Sequence, residues 1–397
     1  MTEMAPFPRS QTEVRPRKVA VVCSYTPSLV NFRFQLLKAM LDNGHQVVAY
    51  GPERHQPTLD ALTAIGVEFE QIPMSRAGLN PLQDLRTLAA LYCRFHQDDP
   101  DLVLCYTMKP VIYGLIAARF AGVSERHALM TGLGYIFGED PENRRLPLLR
   151  AVATLLYRLA FAGGGRVFVY NDADTQDIID GRMVSNPERI VAVPGSGVDL
   201  VRFSPADVPE GDPVFLLIAR LLREKGVREF VEAARIVRTQ NPRARFRLLG
   251  PIDPGPLAVP EAEIEGWQSE GIIDYLGFTT DVRPHLAACT VFVLPSYYRE
   301  GIPRSILEAM ATGRAIVTAD TPGCRDTVID GDNGFIVPPR DPGSLAEAML
   351  RFVRDRDLAR MMGARSLEIA RQRYRVERVN DLLLEQMGLL NRSVAVP

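Results

Sequence analysis

The sequence is poor in the residues that would announce metal or disulfide chemistry. Its five cysteines (Cys23, Cys93, Cys105, Cys289 and Cys324) and its five histidines are scattered over 397 residues, without the close spacing of a zinc site. Thiols placed this way fit a reducing compartment and packing roles. An excess of charge of one sign is also lacking. With 46 basic against 48 acidic residues the formal net charge is -2, so no overall basic field draws in a polyanion, and nucleic acid is excluded as a general partner. No apolar run reaches the length that spans a bilayer, and Arg158 interrupts the best candidate. The opening MTEMAPFPRSQTEVRPRK has no apolar stretch of the secretory kind and reads as a disordered tail over residues 1–16. These absences point to the cytoplasm, or to attachment on a membrane face.

What is present is a rhythm. At this length two domains are expected. Short apolar runs at 18–23, 46–50, 67–72, 101–105, 127–130 and 166–170 read as strands, most of them separated by amphipathic helical stretches such as FRFQLLKAMLDNG. The alternation pauses at 193–213, crowded with Pro, Gly and Asp, and resumes with runs at 213–219, 245–250, 272–277, 291–295, 315–319 and 334–338. The expected fold class is α/β, two doubly wound parallel-sheet units facing across a cleft, over 17–200 and 201–375. The segment 376–397 is expected to carry a helix that packs back on the first unit.

In such sheets ligands bind beyond the carboxyl ends of the strands, and that is where the chemistry-bearing residues gather. Arg220 follows one strand, and Lys225 and Gly226 precede a helix a few residues on, a pattern suited to a diphosphate or to two solvated charges. After VFVLPSYY comes REGIPRSILEAMATGR, residues 299–314. Pro303 suits a helix start, Gly301 permits close backbone approach, and free amides there favour an anion. Glu300 lies in the loop ahead. Glu308 has apolar neighbours on both sides, so it needs partners: ribose hydroxyls, or a nearby arginine in an ion pair.

The Glu300-x7-Glu308 spacing, joined to Arg220-x4-Lys225-Gly226, resembles the retaining GT-B glycosyltransferases of family four. The run from Phe292 to Pro338 is similar to the branch that assembles bacterial capsule, O-antigen and lipid-linked glycans, as are MSRAGLNP (74–81), YTMKPVIYGLIAAR (106–119) and LMTGLGYIF (129–137). The likeness covers roughly residues 17–390. It implies a GT-B fold and a UDP-linked nucleotide-sugar donor used as substrate, with neither a metal nor another cofactor.

 

The donor would be a UDP-linked sugar such as an N-acetylhexosamine, held mainly by the second unit, and the acceptor a polyprenyl-diphosphate-linked glycan at the cytoplasmic face of the inner membrane. By the same resemblance Arg220 and Lys225 neutralise the diphosphate, backbone groups at Gly301 and Ile302 bind it, and Glu308 holds the ribose. Glu300 contacts the donor sugar, and Arg304 lines the phosphate or the acceptor. The base pocket falls near Gly250, Phe278 and Thr279. Acceptor-binding candidates in the first unit are Ser28, Asn31, Arg33, Thr107, Lys109, Thr131 and Gly132, with Arg33 and Lys109 placed to meet an acceptor diphosphate. Relatives elsewhere in the family carry a histidine near the third of these loops, where this sequence reads Met130-Thr131-Gly132. Two rivals stand beside this reading: a nucleotide-sugar epimerase of the same fold, and a non-catalytic sugar-nucleotide-binding subunit.

Two further stretches need assignment. NDAD (171–174) contains the Asp-x-Asp of metal-dependent transferases, but it follows a strand and is expected to cap the next helix. Residues 143–171 hold five arginines (Arg144, Arg145, Arg150, Arg158 and Arg166) and neither Asp nor Glu before Asp172. A helical wheel there puts Leu148, Val152, Leu155, Leu156 and Leu159 on one face, and Arg150, Thr154, Tyr157, Arg158 and Phe161 on the other. The arginine and aromatic face is expected to meet an anionic membrane surface.

Overall fold

Thirteen short strands, most of them largely buried apolar runs, set the architecture among the described residues of this computed structural model, which are 15–391 apart from 76–77, 79, 138–145, 254 and 256. The expected tail falls almost wholly outside them, as do Arg144, Arg145 and part of the 74–81 motif. Strands buried on both faces carry apolar side chains at successive positions instead of alternating ones, which is why Val19–Val22 and Leu102–Tyr106 read as continuous runs.

The first sheet contains β1 (Lys18–Val22), β2 (Gln46–Gly51), β3 (Glu68–Gln71), β4 (Leu102–Tyr106), β5 (Glu125–Leu129), β6 (Val167–Val169) and β7 (Ile190–Ala192). All pairings are parallel, in the order β3-β2-β1-β4-β5-β6-β7, with Val19 opposite both Val47 and Leu102. Around it lie α1 (Ser28–Asp42), α2 (Gln56–Ala64), α3 (Pro81–Asp98), α4 (Leu115–Phe120), α5 (Leu146–Phe161) and α6 (Asp172–Asp180). The three-residue β7 has no counterpart among the expected strands.

The second sheet contains β8 (Val214–Ile218), β9 (Arg245–Leu249), β10 (Asp274–Tyr275), β11 (Val291–Leu294), β12 (Ala315–Ala319) and β13 (Gly334–Val337), ordered β10-β9-β8-β11-β12-β13 and again parallel. Its helices are α7 (Val227–Gln240), α8 (Glu261–Ser269), α9 (Arg283–Ala287), α10 (Arg304–Ala311), α11 (Pro342–Arg354) and α12 (Arg356–Arg373), and α13 (Val376–Gln386) follows them. On α7 the buried positions Val227, Phe230, Val231, Ala234 and Val237 recur at helical spacing and face the sheet. Phe230 is fully buried between them, and truncating such a ring costs about 3–5 kcal/mol.

Each sheet reverses its strand order once, at β1/β4 and at β8/β11, and the crevice beyond those strand ends is where a ligand fits. Between the sheets, residues 193–213 form neither helix nor named strand; Val198 makes an isolated bridge to Arg375. The chain then returns: α13 packs beside α1, Leu389 O accepts from His45 Nε2 at 2.7 Å, and Asn391 N donates to Asn43 Oδ1 at 2.7 Å. Both units are therefore tied by the linker and by the C-terminal helix.

Candidate active site

A cleft of about 590 Å³ opens between the two sheets and is lined from both. On the second unit's wall, Arg220 leaves the end of β8 and Lys225 stands just before α7. The turn between them is pinned by the loop after β11: Tyr297 N and Tyr298 N both donate to Glu224 O at 2.9 Å, and Ser296 Oγ does so at 3.2 Å. Gly226, with φ +74°, lies so close that an added Cβ would stand 2.2 Å from Pro295 O. Only glycine fits that approach. This seating brings Lys225 onto Glu300 as an ion pair, with the Tyr298 ring 4.9 Å from Nζ. The Ser296 hydroxyl, whose one proton is shared between Glu224 O and the carboxylate, lies 3.1 Å from the same Glu300 oxygen.

Arg220 is half-exposed and pairs with Asp253 at 3.0 Å. Arg304 and Glu308, one turn apart on α10, pair at 2.9 Å, so the arginine partner anticipated for Glu308 is present. Burial pushes the Glu308 carboxyl up, and the neighbouring Arg304 guanidinium opposes that shift. Arg304 also spans the cleft, its guanidinium 5.5 Å from the centre of the Phe32 ring on α1. No side chain caps the first turn of α10, and Gly301, Ile302, Pro303 and Ser305 line the cleft there. Gly250, Phe278 and Thr279 line its far end, with the Phe278 ring largely exposed.

From the first unit the cleft receives Ser28, Asn31, Arg33, Thr107 and Thr131. Arg33 is buried, donates to Tyr170 Oη at 2.7 Å and lies 5.1 Å from the Tyr106 ring centre, while its Nε has no partner. Thr107 adopts φ 69° and its hydroxyl is 2.8 Å from that of Ser24. Tyr106, Tyr170, Ser24 and Arg202 also line the cleft and were not among the expected residues, although the two tyrosines sit at strand ends where the fold places ligands. The buried thiols of Cys23, Cys289 and Cys324 are pushed up to about 12 by burial, which leaves none of them a thiolate nucleophile.

Three expectations need correction. Lys109 does not line the cleft: Asp84 on α3 captures it at 2.7 Å, and Tyr113 donates to the same carboxylate at 2.9 Å. Gly132 does not line it either. With φ +118° it abuts the second unit, where an added Cβ would meet Gly301 N at 2.8 Å. Lastly, the helix α5 is turned the other way. Tyr157 and Phe161 are 0% and 2% exposed and stack on each other at 5.5 Å, whereas Leu148 and Leu155 are 69% and 56% exposed, with Val152 and Leu159 beside them. Arg158 donates to Gly181 O and Arg150 to Ile136 O, so both arginines flank the inward face. The aromatic rings had a sheet to cover, and the leucines were left outside. Among the described residues no helix is long and apolar enough to cross a membrane. Asn171, the first residue of NDAD, caps α6 by accepting from Asp174 N at 2.8 Å.

The family comparisons agree with this layout. A model of the glycosyl transferase 4-like domain matches residues 32–195, and a model of glycosyl transferases group 1 matches residues 212–355. The chain is 29% identical over 344 residues to the N,N'-diacetylbacillosaminyl-diphospho-undecaprenol alpha-1,3-N-acetylgalactosaminyltransferase of Campylobacter jejuni, across 83% of this chain and 88% of that protein. It is 27% identical to the UDP-Gal:alpha-D-GlcNAc-diphosphoundecaprenol alpha-1,3-galactosyltransferase of Escherichia coli, across 72% and 75% of the two chains. Among solved structures, Anabaena HepE in complex with UDP and glucose superposes with a TM-score of 0.75 at 19% identity, covering 94% of this chain and all of its own. Two family models in succession, one on each sheet, and a shared two-sheet fold make this chain a member of the group 1 and 4-like glycosyl transferases, a glycosyltransferase of GT-B architecture.

Proposed function

We propose that this enzyme transfers a sugar, with retention, from a UDP-sugar to a polyprenyl-diphosphate-linked glycan during the assembly of a bacterial surface polysaccharide. The observation that carries the reading is the cleft itself: Arg220, Lys225, Glu300 and Glu308 on one wall face Arg33, Ser28 and Thr107 on the other. The named activities of the Campylobacter jejuni and Escherichia coli relatives support the lipid-linked acceptor. The former transfers N-acetylgalactosamine and the latter galactose, and an N-acetylhexosamine is the donor sugar proposed here.

In this reading the donor diphosphate meets Arg220, Lys225 and the backbone at Gly301 and Ile302. Glu308 accepts from the ribose hydroxyls with the oxygen that Arg304 leaves open, and Glu300 accepts from hydroxyls of the donor sugar. As the anomeric C–O bond breaks, negative charge builds on the β-phosphate. Arg220 and Lys225 stabilise it where it develops. The acceptor hydroxyl forms the new C–O bond on the same face and passes its proton to the departing phosphate, so no carboxylate nucleophile is needed. Two fixed cations beside the leaving group make the transfer metal-independent in this scheme.

The outward stripe of Leu148, Val152, Leu155 and Leu159 on α5, a helix without an acidic residue, is proposed to rest on the anionic inner-membrane surface where the acceptor resides. A screen of UDP-sugars against lipid-linked acceptors, read by mass spectrometry with and without EDTA, tests the activity. Sugar addition to a polyprenyl-diphosphate acceptor is expected. Conversion of UDP-N-acetylglucosamine to an epimer without acceptor would replace transfer with epimerisation.

A further inference from the structure

Arg299 stands next to Glu300 in the sequence but turns away from the cleft and enters the first unit. Its guanidinium is only 16% exposed and meets three groups there: Phe137 O at 2.9 Å from NH1, Asp174 Oδ1 at 3.3 Å from Nε, and the Asp177 carboxylate from NH2. Asp174 has no exposed surface. Its carboxylate also accepts from Asn171 Nδ2 at 3.1 Å and from the Leu133 amide. Asn171 Nδ2 in turn lies 3.1 Å from Glu300 O and 3.4 Å from Gly301 O.

The two backbones meet at the same place. An added Cβ on Gly301 would stand 2.5 Å from Thr131 O, and one on Gly132 would stand 2.8 Å from Gly301 N. The turn that presents Glu300 and the Gly301 backbone is thus held by its own unit through Lys225 and Ser296, and by the first unit through Asn171 and the Arg299 partners.

We propose that Arg299 is a positioning residue for sugar transfer: by clasping Phe137, Asp174 and Asp177 it sets Glu300 and the Gly301 turn against the acceptor wall. A planar fork with several donors suits the task, because one side chain engages a carbonyl and two carboxylates at once. Of the proposed nucleotide contacts, Arg220 and Glu308 do not touch the clasp, and the Gly301 turn stays held by Lys225 and Ser296 of its own unit, so losing the clasp lowers turnover far more than nucleotide affinity. Phe137 also packs on Tyr157, with ring centres 6.4 Å apart, so the clasp reaches α5.

The inference rests on the transfer reading, and wild-type transfer is measured first so that failure of the reading is seen separately. Arg299→Ala and Arg299→Lys are then compared for UDP affinity by calorimetry and for steady-state transfer. Since a displacement of about 1 Å away from the chemistry costs roughly 100-fold, Arg299→Ala should lower kcat by about that factor, with UDP affinity reduced far less. Lysine should restore part of it, as one charge without the fork. A normal kcat in Arg299→Ala overturns the proposal. A loss of UDP affinity in step with kcat also overturns it, because Arg299 would then prop the donor site as a whole. Should Arg299→Ala fail to fold, Asp177→Asn removes one arm of the clasp and leaves buried Asp174 in place. It must lower kcat far more than UDP affinity, and an unaffected kcat there refutes the clasp.

Discussion

Replacing Glu308 separates a ligand role from a structural one, because the two make opposite statements about stability. Its carboxyl is buried and its pKa pushed up from the usual carboxylate range by that burial, with Arg304 at 2.9 Å pulling the other way. A raised folded-state pKa contributes stability below the unfolded value, and that stability is lost as pH rises through the folded value. At neutral pH the ionised group is therefore a burden on the fold, and Glu308→Gln should leave the melting temperature unchanged or higher. Binding should move the other way. A hydrogen bond to a charged group is worth about 1.5–3 kcal/mol, so losing one ribose contact weakens UDP by roughly 10- to 100-fold, most in Glu308→Ala. UDP affinity should also fall as pH drops through the Glu308 pKa, since protonation removes acceptor capacity. Arg304→Ala deletes the opposing cation, raises that pKa further and shifts the affinity loss to higher pH. Calorimetry with UDP across pH, beside thermal melts, reads all of these. Unchanged UDP affinity with a lowered melting temperature in Glu308→Gln would refute the ribose role and leave Glu308 as an anchor for Arg304.

Lys225→Ala removes charge from the leaving phosphate and should lower kcat by about 100- to 1,000-fold; steady-state transfer at near wild-type rates would show that the phosphate lies elsewhere. Leu155→Glu with Leu159→Glu puts two carboxylates on the outward stripe of α5, and vesicle flotation with anionic lipid should fall at least about tenfold. Equal flotation would remove that face from the membrane. Arg314 is fully buried, its guanidinium depressed by burial, and it donates from NH2 to Ala206 O and Asp207 O at 2.8 and 2.9 Å. Arg314→Ala frees those linker carbonyls and opens a cavity, so a loss of about 3 kcal/mol is expected in denaturant unfolding, and none would show that the linker holds without it.

The strands and the second unit's side of the cleft were legible because both are local. A buried strand is a short apolar run closed by turn residues, and Arg220, Lys225 and Glu300 lie in the segments just after β8 and β11, with Glu308 on the helix that follows. The helix α5 was misread because its wheel has two apolar faces, and a wheel does not say which one a sheet will cover. That choice was made by Phe137 and the first sheet's core, against which Tyr157 packs. The clasp was invisible for another reason: Arg299 meets Asp174 and Phe137 across 125 and 162 residues.

Distance along the chain also decides which cations remain available. Arg33 and Lys109 look alike in sequence, each just past a strand of the first unit. The fold gives Lys109 a carboxylate from α3, and the pair neutralises itself. Arg33 receives a tyrosine hydroxyl and a tyrosine ring, which orient the guanidinium without cancelling its charge, and among the described residues no carboxylate pairs with it. A buried cation in that condition gains most from an anion arriving in the cleft. Of the two, Arg33 is the one whose substitution should weaken a diphosphate-bearing acceptor, while Lys109 belongs to the packing of α3 on its sheet.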